Sequence, residues 1–223
     1  RRQRQMCIRD SLEIQEGLEQ AAKKFGYAAR VKKAGKQANG KIRAVGIGQA
    51  YHSAGSSGWD GLVRITPDGK LHIHTGVGNL GTYSYASTSR VVAEVLGYDW
   101  NNTIIERGGT LKAMPFVLGQ FGSNTTFTVT RTSYAAAMDA KQKLLLIGAV
   151  VMGGKADDYK LENESVVKKS GSGSITFAQA AKKAIELGGK YAGREVDPDL
   201  KGLTKASVKM IAGTGLIGVA KDK

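Results

Sequence analysis

The stretch GLVRITPDGKLHIHTGVGNLGTYS, residues 61–84, decides the fold. Two apolar runs, Leu62–Thr66 and Leu71–Thr75, flank Pro67, Asp68 and Gly69, the residue types that tight turns select, so the segment predicts a β-hairpin. The second strand leads into Gly76, Gly78 and Gly81. A helical rhythm follows, with Val91, Val92, Val95 and Leu96 inside Ser87–Leu96, and it stops at Gly97, a normal C-terminal cap. A Gly-rich turn between a strand and a helix gathers backbone N–H groups at the positive end of the helix dipole, which favours a phosphate-bearing guest. This turn is not a Walker A loop, because no Lys follows the glycines, nor is it a clean G-x-G-x-x-G with an acidic ribose partner.

Downstream, the β-branched run Thr103–Glu106 predicts a strand and the Ala- and Leu-rich segment Thr132–Leu146 a long helix. Thr176 and Gln179 have capping-box spacing for a helix to Leu187. Upstream, Leu12, Ile14, Leu18, Ala21, Ala22 and Phe25 recur at helical spacing to about Gly26, with Asp10 and Glu13 placed as a capping box. A basic linker, Lys32–Lys41, and a short apolar strand over residues 42–50 are expected next. Residues 1–10 are polar, basic and aperiodic and read as a foreign or artefactual extension, which leaves 11–223 to the domain itself. Strands and helices mixed without strict alternation point to an α+β fold.

The composition narrows the function. With 41% hydrophobic and 23% charged residues the chain is an ordinary globular one. Its formal charge of +14 invites a nucleic-acid partner, yet Lys and Arg are spread along the chain, aromatics reach only 7%, and no base-reading motif occurs. No nucleic acid is therefore expected. The longest apolar run, Leu144–Met152, is about half of what a membrane span needs. One cysteine, Cys7, excludes an internal disulfide framework and a cysteine-built metal site. His72 and His74 share one strand face and, without a third ligand, read as surface polar decoration; no metal ligand is assigned. Gly171-Ser172-Gly173-Ser174 reads as a flexible connector with no strand before it, and Tyr51 and Trp59 as packing.

A second loop, Gly119-Gln120-Phe121-Gly122-Ser123-Asn124-Thr125-Thr126, precedes the Ala-rich helix and offers many small hydroxyl donors and acceptors. The residues alone read equally well as a Ser/Thr-rich cap and turn. They also leave open a non-catalytic binding module for a phosphate-bearing ligand or an anionic polymer.

Taken in order, residues 58–61 (GWDG), the hairpin and first loop, Ala93-Glu94-Val95-Leu96-Gly97, the loop FGSNTTF and the helix start YAAAMDA resemble a known family over about residues 40–223. It is the cofactor-binding large subunit of molybdenum hydroxylases: xanthine dehydrogenase, aldehyde oxidase and aerobic carbon monoxide dehydrogenase. The resemblance implies an incomplete molybdenum-cofactor-binding α+β domain. Its ligand is a molybdenum–pterin cofactor, in some members extended to the cytosine dinucleotide, with iron–sulfur and FAD centres on partner subunits. It implies a cytoplasmic oxidoreductase, the periplasm remaining open, that hydroxylates small molecules such as aldehydes and N-heterocycles with water-derived oxygen.

The matching positions make Gly81, Thr82 and Tyr83, and Gln120, Phe121, Gly122, Ser123, Thr125 and Thr126, the expected cofactor-binding residues. Two positions depart from the family's pattern: Asn79 stands at the acidic position and Tyr83 at a glycine. The family's base is a Glu in a Gly-x-Gly-Glu sequence; Gly213-Thr214-Gly215-Leu216 has Leu there. No catalytic residue is assigned, and the 223 residues are expected to be inactive alone.

Overall fold

The computed structural model describes residues 14–48, 55, 58–109 and 111–222. The chain divides into two compact units, residues 1–51 and 52–223. In the first, helix α1 (Ile14–Phe25) ends at Gly26, whose φ of 69° only glycine adopts freely. Helix α2 (Tyr27–Lys32) follows, and β1 (Gly35–Lys36) pairs antiparallel with β2 (Ile42–Arg43). The expected linker thus holds half of a small ladder, and the strand expected over 42–50 shrinks to two residues. Gly46 and Gly48 bring no side chain to pack, so residues 44–48 take no regular structure. Asp10, Glu13, Ala50 and Tyr51 lie outside the described residues.

The second unit opens with the predicted hairpin, β3 (Asp60–Ile65) and β4 (Leu71–His74), in a register that sets Leu62 opposite His74 and Ile65 opposite Leu71. Helix α3 (Ser84–Leu96) starts three residues before its apolar rhythm and ends, as expected, at Gly97 in the left-handed region. Strand β5 (Thr103–Glu106) then lies parallel to β4, so β4, α3 and β5 form a crossover unit. A π-type turn, Thr125–Val129, runs straight into helix α4 (Thr130–Met152), which outlasts the predicted helix at both ends. Strands β6 (Tyr159–Glu162), β7 (Ser165–Lys168) and β8 (Ser174–Thr176) make a small antiparallel sheet, and helix α5 (Phe177–Leu187) carries the predicted Thr176–Gln179 capping box. Helix α6 (Gly202–Ile211) and strand β9 (Leu216–Lys221) complete the unit, and β9 pairs antiparallel with β3 to give the sheet order β5-β4-β3-β9.

Both faces of β3 are covered. Val63 and Ile65 join Leu71, Ile73, Val92, Leu96, Ala136, Ala140 and Leu144 in the main core, while Leu62 packs with Val208, Ile211 and Ile217 on the α6 side. Helix α4 lies so close to the sheet that two strand positions admit only glycine. A Cβ on Gly61 would stand 2.0 Å from the Thr132 carbonyl oxygen, and one on Gly218 would stand 2.6 Å from both the Ala136 carbonyl oxygen and the Ala140 Cβ. Near its other end, Gly148 gives the same clearance to Val166 and Tyr159 of the small sheet. Polar groups reinforce this contact: buried Lys143 donates to Asp139 Oδ2 at 2.6 Å and to the Ile217 carbonyl at 2.8 Å, and the same Asp139 oxygen accepts from Val219 N at 2.9 Å. The outer edge of β9 is thereby covered by a helix side chain pair rather than left open.

Two further sequence readings are corrected, on Gly171–Ser174 and on the two histidines. Gly171–Ser174 is part of the hairpin turn between β7 and β8, since a strand does precede it. His74 is buried and His72 is largely so, because the second face of the sheet is packed rather than exposed. Gly213–Leu216 is the turn into β9, with Gly215 pressed against the Ile65 carbonyl, and its glycines serve strand entry. Trp59 is fully buried, as packing predicts.

Gly61→Ala is expected to cost about 2–3 kcal/mol, because α4 must retreat from β3. Gly202→Ala, with open space around its site, should change stability by less than about 0.5 kcal/mol or raise it slightly. Urea denaturation of both variants measures the difference; equal stabilities would contradict the close approach.

Candidate functional site

The two Gly-rich loops meet. The first leaves the C-terminal end of β4 and enters α3; the second enters the π-type turn at the start of α4. In the first, Asn79 Oδ1 accepts from Gly81 N at 2.9 Å and from Tyr83 N at 3.2 Å, so the residue at the family's acidic position ties its own loop together. Tyr83 takes the left-handed conformation, φ 50°, that a glycine would supply there, and its ring points outward, 63% exposed, beside Tyr85. Arg107 stacks on Tyr85, its guanidinium 3.8 Å from the ring centroid.

The second loop is aimed by a pinned segment before it. His74 Nδ1 donates to the Ala113 carbonyl at 2.8 Å. Ser207 Oγ donates to the Met114 carbonyl and accepts from Met114 N, and Thr204 Oγ1 accepts from Phe116 N at 2.8 Å. Thr204 in turn donates to buried Asp60 at 2.6 Å, and the same Asp60 oxygen accepts from Lys201 N, so a β3 carboxylate caps α6. Beyond this anchor, Gln120 Nε2 crosses to Ser84 Oγ at 3.0 Å and joins the second loop to the first residue of α3. Gly122 and Ser123 both sit in the left-handed region, φ 57° and 53°. The Gly122 carbonyl accepts from Gly55 N, and Gly55 leaves room for Phe127, whose ring a Cβ would meet at 2.5 Å.

Between the loops lies a cavity of about 440 Å³ lined by Leu80, Thr82, Ser84, Ser87, Gln120, Phe121, Ser123, Asn124, Thr125 and Thr126. Six expected site residues, Thr82, Gln120, Phe121, Ser123, Thr125 and Thr126, thus face one space. Gly81, Tyr83 and Gly122 shape the loops without lining it. Ser84, Ser87, Leu80 and Asn124 were not singled out from the sequence; Asn124 lies inside the quoted loop, and Ser84 is the residue where a capped helix would begin. Asn124 is buried and its Oδ1 has no hydrogen-bond partner among the described residues.

No side chain lining this cavity carries a formal charge. An anionic group entering it would be held by hydroxyls and by the unpaired N–H groups and dipoles of two helix N-termini rather than by an ion pair. The orphaned Asn124 acceptor suits a guest that also bears N–H donors, as a pterin does; left unfilled it costs about 1–3 kcal/mol. The residues therefore fit a phosphorylated heterocycle such as the molybdenum–pterin cofactor. They contain no carboxylate that could act as a general base. Among the described residues no cluster of three or more metal-ligating side chains occurs, and no helix is long and apolar enough to cross a membrane.

The model of the molybdopterin cofactor-binding domain matches residues 20–214. The probable hypoxanthine oxidase XdhD of Escherichia coli K12 is 26% identical over 122 residues, which are 55% of this chain and 13% of that protein; its counterpart in strain O157:H7 matches equally. Two carbon monoxide dehydrogenase structures share the fold. The Cu,Mo enzyme in its carbon monoxide-reduced state has a TM-score of 0.56 at 21% identity over 76% of this chain and 20% of its own. The reconstituted enzyme from Oligotropha carboxidovorans has 0.55 at 18% identity over 95% and 25%. This chain spans about an eighth of the curated relatives' length.

The anchor before the second loop depends on pH. Burial holds the His74 imidazole at a pKa of about 4 against its ordinary 6.5, only partly opposed by its bond to Ala113, and burial lowers His72 as well. Both histidines are neutral in the fold, so their contribution is complete above pH 6.5. That of His74 is lost as pH falls from 6.5 towards 4, where the unfolded chain binds the proton the folded chain refuses, and that of His72 is lost as pH falls below 6.5. For His74 the loss reaches about 3 kcal/mol. Glu106 carries the loss lower still: burial raises its pKa, but Lys112 and His72 outweigh that and hold it below the ordinary 4.5. An NMR titration of the His74 ring should show its midpoint near 4, with thermal stability falling over the same range; a midpoint near 6.5 would refute the burial argument.

Proposed function

Because the chain belongs to the molybdopterin cofactor-binding domain family of the xanthine oxidase class of oxidoreductases, we propose that residues 11–223 contribute part of such a domain and that the cavity between the two loops holds the cofactor. The observation that carries this reading is the meeting of the loops around an uncharged, hydroxyl-rich cavity with one buried amide oxygen unmatched. Ser123, Thr125 and Thr126 would take the phosphate at the start of α4. Asn124 and Gln120 would take the N–H and carbonyl edge of the heterocycle, and Thr82 with Ser84 the opposite side. Gly81, Tyr83 and Gly122 hold the loop backbones in the left-handed turns that bring these groups together. Phe121 and Leu80 offer apolar cover that keeps bulk water from the ring.

When bound, the cofactor supplies the redox chemistry, taking two electrons from a substrate carbon while water provides the oxygen. The chain's share is orientation and exclusion. With no carboxylate in the lining, the proton-accepting group of the hydroxylation would come from outside these residues. An N-heterocycle as substrate is favoured over an aldehyde by the name of one relative, the probable hypoxanthine oxidase. The cofactor's cytosine dinucleotide form, and electron transfer to iron–sulfur and FAD subunits, rest on the family resemblance alone.

Asn124→Ala tests the reading, because the Oδ1 it removes has no hydrogen-bond partner to lose in the apo protein. In the full-length protein, molybdenum and pterin content should fall about tenfold, while the thermal midpoint of the cofactor-free form stays level or rises. Unchanged cofactor content would remove Asn124 from the site, and absence of molybdenum and pterin from the wild-type protein would remove the site itself.

A further inference from the structure

The first unit contains a groove that no part of the proposed cofactor site uses. Its cavity, about 590 Å³, is lined by Leu18, Ala21, Ala22, Phe25, Tyr27 and Ile47, with Glu19 and two glycines. Residues 15–48 include none that is buried, and Leu18, Phe25, Val31, Ile42 and Ile47 are 44–82% exposed. Helix α1 therefore has an apolar stripe at helical spacing that no described residue buries, and such a stripe marks an interaction surface.

Charge identifies the occupant. Between Lys23 and Arg43 the unit carries eight Lys and Arg and no Asp or Glu. One of these cations is fixed beside the groove: Arg30 stacks on the ring of Phe25, a lining residue, with its guanidinium 4.4 Å from the centroid and a 2.8 Å bond from Nε to the Phe25 carbonyl. A second copy of this chain does not complement such a surface, since residues 1–51 carry +8 of the formal +14 and residues 52–223 carry the remaining +6. Nucleic acid would use the cations but leave the aliphatic wall, Leu18, Ala21, Ala22 and Ile47, without a partner. We infer that this unit docks an acidic, amphipathic polypeptide segment, whose apolar side chains enter the groove while its carboxylates face Arg30 and the neighbouring lysines. Recognition of an amphipathic helix in an apolar groove is a common mode, and the opposite charges would speed encounter and set orientation.

The test uses the whole chain and a labelled peptide of about 18 residues with Leu at i, i+3, i+4 and i+7 and Glu elsewhere. Its competitors are a scramble of the same composition, a single-stranded oligonucleotide and phosphatidylserine vesicles. Fluorescence anisotropy should show the amphipathic peptide binding at least about tenfold tighter than the scramble. Phe25→Asp and Arg30→Glu should each remove that preference. Both residues are exposed, so circular dichroism should show the fold unchanged. Equal binding of the two peptides, tighter binding of the oligonucleotide or vesicles, or full binding by Phe25→Asp would overturn the inference.

Discussion

The second unit depends on one contact, the bare approach of helix α4 to strands β3 and β9. Removing every side-chain atom at Gly61 and Gly218 lets the helix backbone touch the sheet, and Ala136, Ala137 and Ala140 keep the opposing face equally thin. Dispersion is steep in distance, so a seam this close resists sliding as well as separation. The Lys143–Asp139 pair adds direction, because its bonds to the Ile217 carbonyl and Val219 N are satisfied in one register only. A helix fixed along its axis has a fixed N-terminus. The position of the π-type turn and of Ser123–Thr126 follows from packing several residues away from the cavity.

The first loop is placed by a different device. It leaves β4 where that strand's parallel pairing with β5 continues through Thr75 N to the Glu106 carbonyl, and it meets the second loop through the Gln120–Ser84 bond. The second loop is held on its other side by the Asp60–Thr204–Phe116 chain from α6. Each loop is thus tied to elements distant in sequence, and the cavity is a joint property of β4, α3, α4 and α6. This explains an arrangement with no charged lining in a chain of formal charge +14. Anions are favoured by the overall field at long range and sorted at short range by N–H and O–H geometry.

Much of this arrangement was legible in the sequence. The hairpin, β5, the stop at Gly97 and the Thr176 cap follow from local chemistry, and the structure has them within a few residues. The two loops were legible as Gly- and Ser/Thr-rich segments, and six of the nine residues named from them line the cavity. Other features were hidden because distant partners create them. Strand β9 reads locally as a Gly-interrupted apolar run and becomes a strand by pairing with β3 across about 150 residues of chain. Helix α6 is capped by Asp60, a residue of β3, so no capping signal lies beside it. His72 and His74 alternate with apolar residues as on an exposed face, and only the packing of α6 and the Ala113 segment buries that face. Asn124 looked like loop filler until its neighbours sealed it from water.

Three departures from relaxed geometry are concentrated in one short stretch. Ser123 is held left-handed at a cost of about 1–2 kcal/mol, Asn124 keeps a buried acceptor unmatched, and Thr125–Val129 winds as a π-type turn in a helix otherwise regular to Met152. The glycine seam itself lies farther along the helix, at Thr132, Ala136 and Ala140. A stretch free to relax would move Ser123 into the ordinary helical region and turn Asn124 to water, which is the cheaper state for the chain alone. The Gly122–Gly55 bond, the Gln120–Ser84 bond and the buried seam prevent it. On the proposed reading the strain is stored against a ligand: donors and acceptors already stand where the guest will need them, so binding loses little to reordering the loops.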